Sequence, residues 1–98
     1  MREAIRKEQM DLLIQALLSL DNEEECRRLL EDLCTVREMQ DLAQRLEVAR
    51  LLRAQMTYND IAQATGASTA TISRVNRCLL YGAGGYEKIL KKLEEGND

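Results

Sequence analysis

The chain of 98 residues contains no phenylalanine, tryptophan, proline or histidine, and its only aromatic residues are three tyrosines. Without large aromatic anchors, leucine must supply most of the packing, which favours helices and suggests that one chain buries too little surface alone. Because histidine is absent and Cys26, Cys34 and Cys78 form no Cys-x-x-Cys pair, neither a zinc site nor an acid–base enzyme is indicated. We expect reduced thiols packed in helices, no metal, no cofactor and no catalytic residue.

The net charge of −3 argues against a protein that coats nucleic acid without regard to sequence. It leaves a site-specific reader open, because local charge governs contact with phosphates. Between Asn59 and Tyr81 the only carboxylate is Asp60, whereas Arg74 and Arg77 are cationic, so this segment is locally positive. The sequence has no signal peptide and no long apolar run, so we expect a cytoplasmic protein that does not enter a membrane.

Apolar residues recur at helical spacing along almost the whole chain, and no segment alternates like a strand. Capping signatures begin new helices at Asn22, Thr35, Thr57 and Ser68 or Thr69, and the glycines after Tyr81 interrupt the last helical run. The sequence therefore predicts an all-α fold of about six helices in a single domain over residues 1–98. Within it we expect a first helix from about Arg2 to Leu20, a helix-turn-helix over 57–79 and a C-terminal helix over 86–95.

The first two predicted helices are unusually apolar for the end of a small domain. Leu12-Leu-Ile14, Leu17-Leu18 and Leu29-Leu30 cover more than one helix face. An ordinary monomer core is one interpretation, but contiguous exposed apolar surface usually marks an interface. We therefore expect a homodimer, with residues 1–34 as helical dimerisation arms.

The segment from Thr57 to Asn76 has the layout of a helix-turn-helix. Gly66 lies where the turn needs a positive φ, and the small Ala62 lies where two helices would cross closely. At about 100° per residue, one side of the second helix is apolar and the opposite side is short, hydroxylated and cationic. The predicted inward residues are Ile61, Ala67, Ile72, Val75 and Leu79, and the outward ones are Ala70, Ser73, Arg74 and Arg77.

The outward surface has the character of a helix that enters a DNA major groove. Threonine hydroxyls can bond base edges, alanine and threonine methyls can touch a thymine methyl, and arginine can bond a phosphate or a guanine. The blander interpretation is that the hydroxyls only cap and solvate an exposed helix, and helix-turn-helix geometry also serves protein contacts. The predicted DNA-binding residues are Ser68, Thr69, Ala70, Thr71, Ser73, Arg74 and Arg77.

The sequence resembles the tryptophan repressor family, and most closely its small YerC/YecD-type branch. The resemblance is carried by Leu52-Arg-Ala-Gln-Met-Thr57, by Thr65-Gly-Ala67 and above all by Ala70-Thr-Ile-Ser-Arg74. It implies an intertwined, all-helical homodimer that carries two reading heads, the helix-turn-helix of each chain. The two reading heads would meet successive major grooves of a pseudo-palindromic operator. It also implies that residues 69–71 face base edges and that Ser73 faces a phosphate.

The same resemblance indicates where an effector would bind. In tryptophan repressors the indole ring of the corepressor lies between two arginines and against a glycine. The matching positions here are Arg45, Arg74 and Val75, which form the candidate effector pocket. Because the branched side chain of Val75 fills space that an indole ring needs, tryptophan is not expected to be the corepressor.

Three hypotheses about function follow from these patterns. The first is a sequence-specific DNA-binding transcriptional regulator, a repressor, which reads the major groove with helix 69–80 as a homodimer. The second is a ligand-gated repressor with an unidentified small-molecule effector. The third is a helix-turn-helix module that binds another protein, which the acidic body of the chain favours.

Overall fold

The computed structural model describes residues 5–96 and contains six α-helices there, with no strand among these residues. This confirms the predicted all-α fold. The helix that was expected over 69–80 continues for one residue more, to Tyr81. The helices are α1 (Lys7–Leu18), α2 (Glu23–Leu33), α3 (Val36–Arg53), α4 (Tyr58–Thr65), α5 (Thr69–Tyr81) and α6 (Gly85–Gly96).

The first helix is shorter than its apolar pattern suggests. Arg6 has extended backbone angles (φ −75°, ψ 137°), so α1 begins at Lys7, while residues 2–4 of the predicted helix lie outside the described part of the chain. At the other end, the Ser19 hydroxyl donates a 2.8 Å hydrogen bond to the carbonyl of Ala16. Periodicity therefore overestimated the helix at Ile5 and Leu20, which are apolar but not helical.

Side-chain caps begin the middle helices where the sequence predicted them. The amide of Glu25 donates to Asn22 Oδ1 at 2.9 Å, which caps α2. At the start of α3 the exchange is reciprocal, since the Glu38 amide donates to Thr35 Oγ1 at 3.1 Å and the Thr35 amide donates to Glu38 Oε1 at 2.9 Å. Each cap satisfies an N–H group that the helix cannot, and is typically worth about 1 kcal/mol.

The chain divides into two compact units, residues 1–39 and 40–98. In the first unit, neither α1 nor α2 contains a buried residue, although both carry many leucines. The second unit contains the hydrophobic core, which α3, α4, α5 and α6 all supply. Its buried members are Val48, Ala49, Leu51, Ile61, Ala67, Ile72, Val75 and Leu90.

An arginine fastens α6 beside the end of α3. Arg53 donates to both carboxylate oxygens of Glu94, at 3.1 and 2.9 Å, and its Nη1 lies 2.6 Å from Glu87 Oε2. The hydrogen bonds from Arg53 hold the pKa of Glu94 below its ordinary value, and those carboxylates in turn raise the pKa of Arg53. Glu94 therefore stays ionised at neutral pH, and a two-pronged contact of this kind fixes geometry as well as charge.

The connection from α3 to α4 contains a strained residue. Gln55 has a φ of +64°, and it is the only non-glycine residue with a positive φ in the part of the chain that the structure describes. The amide of Gln55 donates to the Leu52 carbonyl at 2.9 Å, and that of Met56 donates to the Leu51 carbonyl at 3.2 Å. This pair of bonds is a Schellman motif, which usually has glycine at the left-handed position.

Replacing Gln55 by glycine is expected to stabilise the protein by about 0.5–1 kcal/mol. A left-handed residue with a side chain costs roughly 1–2 kcal/mol, and the greater freedom of glycine in the unfolded chain offsets part of that gain. Urea unfolding of Gln55→Gly and of the parent protein measures the difference. The matched control is Gln63→Gly, within α4, which should be destabilising, and a destabilised Gln55→Gly would contradict the expectation.

Candidate nucleic-acid interface

The turn between α4 and α5 has the glycine geometry that the sequence predicted. Gly66 has φ +75° and ψ 4°, and its amide donates to the Ala62 carbonyl at 2.8 Å. An added Cβ at Gly66 would meet nothing within 4 Å, so the left-handed backbone, not lack of space, requires glycine here. Thr65 holds the turn from inside, because its hydroxyl donates to the Ile61 carbonyl at 2.7 Å and accepts from the Ala67 amide at 3.1 Å.

A side chain from α3 also fixes this turn. Gln44 Nε2 donates a 3.2 Å hydrogen bond to the carbonyl of Thr65, at the last residue of α4. This carbonyl belongs to the end of a helix, where no amide of the same helix can reach it. The turn is therefore anchored to the long helix of the same unit, so α5 leaves it in a defined direction.

The apolar residues of the motif lie where the spacing predicted. Ile61, Ile72 and Val75 are all at most 2% exposed, and Ala67 in the turn is 5% exposed. Leu79 is half-buried. Because one side of α5 is buried in the core, its opposite side faces out as a rigid surface rather than as a mobile loop.

Ser68 caps α5, and this use occupies its hydroxyl. Ser68 Oγ accepts from the amide of Thr71 at 3.1 Å and lies 3.1 Å from Thr71 Oγ1, to which it can donate. Thr71 is half-buried, whereas Thr69 and Ala70 are exposed. Like those of any first helical turn, the amides of Thr69 and Ala70 have no acceptor within the helix and point out of its amino end.

The outward surface of α5 is exposed and cationic. Ser73, Arg74 and Arg77 are all exposed, in agreement with the helical projection. Within residues 5–96 neither Arg74 nor Arg77 has an ion-pair partner, unlike Arg50 and Arg53, whose charges are balanced by glutamates. Two unbalanced guanidinium groups on a rigid helix can bond phosphates or the edge of a guanine.

The three residues of the candidate effector pocket line a single cleft. Arg45, Arg74 and Val75 border a cavity of about 190 Å³, together with three residues that the sequence analysis missed: Asp41, Gln44 and Thr71. The cavity is smaller than the roughly 300–1,000 Å³ of most ligand sites. Asp41 also places a carboxylate beside the two arginines, which makes the cleft less purely cationic than Arg45 and Arg74 alone indicated.

A second concavity is apolar and more open. It measures about 500 Å³ and is lined mainly by the end of α5, the connection after it and α6. Cys78 is exposed at this cleft, which differs from the expectation that all three thiols would be packed. Cys26 and Cys34 are half-buried, and all three thiols are free.

No helix in residues 5–96 combines the length and the apolar character needed to cross a bilayer.

Comparison with known proteins decides the family. The sequence profile described as Trp repressor protein matches residues 8–94. The chain belongs to the Trp repressor family. It is therefore related to helix-turn-helix regulators that bind DNA and not to a family of enzymes.

Three individual proteins match this chain over most of their length. The uncharacterised protein YerC of Bacillus subtilis (strain 168) is 54% identical over 93 residues, which cover 95% of this chain and 89% of YerC. A TrpR-like protein from Eubacterium eligens ATCC 27750 has a crystal structure that superimposes with a TM-score of 0.89 at 48% identity, covering 94% of this chain and 95% of the other. A candidate Trp repressor from Staphylococcus aureus gives a TM-score of 0.88 at 48% identity, covering 94% and 92%.

Proposed function

We propose that this member of the Trp repressor family is a homodimeric, sequence-specific repressor that reads the major groove of an operator with α5. The observation that carries the proposal is the outward surface of α5, where Arg74 and Arg77 are exposed and have no ion-pair partner between residues 5 and 96. The chain as a whole is acidic, so an unbalanced cationic surface on one rigid helix is the feature most suited to a polyanion.

Each residue of this surface has a distinct proposed role. Thr69 and Ala70 stand at the amino end of α5, the end that usually meets base edges, and they are proposed to contact bases. Ser73 and Arg77 lie further along the exposed side and are proposed to bond phosphates, while Arg74 bonds a phosphate or a guanine.

Ser68 and Thr71 are proposed to act at the edge of the contact. Their hydroxyls already bond each other, and Ser68 accepts the Thr71 amide. Their main contribution is therefore to hold the start of α5, so that the free amides of its first turn meet a phosphate.

The proposal of a homodimer is supported by the first unit. A helix pair with no buried residue cannot stabilise itself, yet α1 and α2 carry leucines that are more than half exposed, such as Leu12, Leu18 and Leu33. Burying this surface against a second copy would remove the apolar area from water. Two copies would also supply the two reading heads that a pseudo-palindromic operator requires.

Replacing Arg74 by alanine is expected to weaken operator binding by about 10- to 100-fold, because a forked arginine–guanine contact is worth roughly 1–3 kcal/mol. If Arg74 contacts a phosphate instead, the slope of log K against log salt concentration should fall by about 0.9. Fluorescence anisotropy with a selected duplex over a series of salt concentrations measures both quantities.

The matched control is Arg50→Ala, which removes the same charge from α3. Arg50 is paired with Glu47 at 2.7 Å and lies outside the helix-turn-helix, so its loss tests the effect of net charge alone. Equal binding by Arg74→Ala and the parent protein would count against the proposed interface, and so would an equally large loss in Arg50→Ala.

Selection of bound duplexes from a random pool separates the repressor from a protein-binding module. A repressor should enrich one motif in two half-sites, about 10 base pairs or a multiple of that apart, because each reading head meets one turn of the duplex. A pool with no enriched motif would favour a helix-turn-helix that binds protein, for which the exposed apolar side chains of the chain are the supporting feature.

The cleft between α3 and α5 supports a second candidate, a repressor gated by a small molecule. Arg45 and Arg74 stand at this cleft with Val75, and Arg74 also belongs to the proposed DNA surface. A ligand that bonds Arg74 would therefore change the groups that are available to DNA.

L-Tryptophan is expected not to bind this cleft. Val75 is 2% exposed and belongs to the same core cluster as Ile61 and Ile72, so its branched side chain cannot make room for an indole ring without disturbing that core. Isothermal titration with millimolar L-tryptophan should give no heat beyond dilution. Saturable heat that Arg45→Ala abolishes would contradict this expectation and would favour tryptophan gating.

A further inference from the structure

The last residue of α5 is an unusually exposed aromatic. Tyr81 is 82% exposed, the highest value among the large hydrophobic residues that the structure describes. A single exposed apolar residue is ordinary on a protein surface and by itself indicates nothing. The position of Tyr81 on the helix is what gives this exposure a meaning.

Tyr81 continues the outward side of α5 for one further turn. At about 100° per residue, Ala70, Arg74, Arg77 and Tyr81 all project within roughly 30° of a common direction, opposite Ile72. Leu80, which is 62% exposed, projects about 100° away from Tyr81 on the same scale. Tyr81 is therefore aligned with Ala70, Arg74 and Arg77, whereas the less exposed Leu80 is not.

We propose that Tyr81 is a further DNA-contacting residue, with its ring against a deoxyribose and its hydroxyl donating to a phosphate of the operator backbone. This inference rests on the function proposed above. Tyr81 stands eleven residues after Ala70, which is about 16 Å along the helix axis. When the amino end of α5 meets base edges, that distance exceeds the roughly 12 Å width of the major groove, so Tyr81 meets the backbone and not the bases.

The surroundings of Tyr81 favour a polyanion. Residues 61–86 contain no Asp or Glu, so the stretch from Ile61 within α4 to Tyr86 at the start of α6 carries only the positive charges of Arg74 and Arg77. A carboxylate within this stretch would repel a phosphate, and none is present. Tyrosine is among the side chains that bond the phosphates of DNA.

The chain leaves α5 in a way that keeps Tyr81 exposed. The amide of Gly82 donates to the Cys78 carbonyl at 2.8 Å, which closes the helix at its last turn. A Cβ at Gly82 would lie 2.4 Å from the same carbonyl oxygen, so the backbone conformation at the end of α5 requires glycine. Because the chain turns away immediately, no following side chain covers the ring.

A contact to the backbone makes a different prediction from a contact to a base. Tyr81→Ala should weaken binding to the selected operator and to a scrambled duplex by the same factor, about 5-fold, since backbone contacts carry no sequence information. The salt slope should stay that of the parent protein, because a neutral phenol releases no counterion. Tyr81→Phe should recover the part of the affinity that the ring supplies, but not the part that the hydroxyl supplies.

The experiment uses the full chain and fluorescence anisotropy at several salt concentrations, with Leu80→Ala as the matched control. Leu80→Ala should bind both duplexes as the parent protein does. Sedimentation velocity on the same variants tests whether Tyr81 is covered by a second copy instead. A shift toward monomer in Tyr81→Ala, or unchanged affinity for both duplexes, would overturn the inference.

The failure of this inference can be told apart from the failure of the proposed function. If the parent protein binds the operator and Arg74→Ala weakens that binding while Tyr81→Ala does not, only the role of Tyr81 is wrong. If the parent protein binds no duplex from the random pool, both proposals fall together.

Discussion

Replacing Ile72 by alanine is expected to lower the free energy of unfolding by about 3 kcal/mol. Ile72 is 0% exposed and belongs to the core of the second unit together with Ile61 and Val75. Truncation of a fully buried isoleucine removes its transfer free energy and leaves a cavity, for a usual total of about 2–5 kcal/mol. Small domains have only about 5–15 kcal/mol in all, so this one change removes a large share of the stability.

Urea unfolding followed by circular dichroism measures the loss. The protein concentration is kept fixed, because the stability of the proposed homodimer would depend on it. Ser73→Ala is the matched control, since Ser73 is the next residue of the same helix and is exposed. We expect Ser73→Ala to stay within about 0.5 kcal/mol of the parent protein. A change below about 1 kcal/mol in Ile72→Ala would mean that α5 is not packed through this side.

The two substitutions also separate the two sides of α5. Ile72→Ala should weaken DNA binding only as far as it unfolds the protein, so that binding recovers in a stabilising osmolyte. Ser73→Ala should leave stability unchanged and lower affinity through one lost phosphate contact. The buried side of α5 is therefore expected to affect binding through stability and the exposed side through direct contact, and these two substitutions distinguish the two effects.

Local chemistry predicted several helix starts and the turn of the helix-turn-helix. The caps at Asn22, Thr35 and Thr57 are each made by the predicted side chain, and Gly66 has the positive φ that its place in the turn requires. These features depend on three or four consecutive residues, so a single sequence is enough to identify them. The buried side of α5 followed in the same way from helical spacing.

Other features depend on contacts between residues far apart in the sequence, so local sequence could not predict them. Gln44 bonds the carbonyl of Thr65, twenty-one residues further on, and nothing in the local sequence of either residue indicates it. The left-handed backbone of Gln55 was missed because glycine, the usual residue at such a position, is absent there. The short connection between the end of α3 and the Thr57 cap was the only local indication of a tight turn. Tyr81 was missed because the predicted helix ended one residue too soon, at residue 80.

The candidate effector pocket combines both situations. Arg45 in α3 and Arg74 in α5 were predicted from the resemblance to the Trp repressor family, and both line one cleft. The family pattern therefore indicated that these two helices lie side by side. The carboxylate of Asp41 at the same cleft was not anticipated, because the resemblance supplied only Arg45, Arg74 and Val75 as pocket residues. The charge of the cleft therefore had to come from the structure.

Introducing two glutamates on the exposed side of α1 is expected to convert the proposed homodimer to a monomer. Met10, Ile14, Leu17 and Leu18 recur at helical spacing and are 40%, 44%, 44% and 80% exposed, respectively, which makes them an apolar stripe with no partner in the described part of the first unit. In Ile14→Glu/Leu18→Glu, burial against a second copy would place two carboxylates in an apolar interface without partners, which costs several kcal/mol. Sedimentation velocity should then find one chain per particle in the variant and two in the parent protein.

Loss of the dimer should also weaken DNA binding. Two linked reading heads typically bind about 10²–10⁴ times more tightly than one, so the double variant should bind a duplex with two half-sites at least about 100-fold more weakly than the parent protein. Its affinity for a duplex with one half-site should be nearly unchanged, because α5 belongs to the second unit and is untouched. That difference distinguishes a missing partner from a damaged helix-turn-helix.

The matched control for the double variant is Gln9→Glu/Gln15→Glu, which adds the same charge to α1 at two exposed polar positions outside the stripe. It should remain a dimer and should bind DNA slightly more weakly at most, through the added negative charge. If Ile14→Glu/Leu18→Glu also remains a dimer, the stripe is not the interface. The apolar surface of the first unit would then have to be covered through Leu12, Leu33 and the other exposed side chains, and the intertwined arms proposed for residues 1–34 would need a different arrangement.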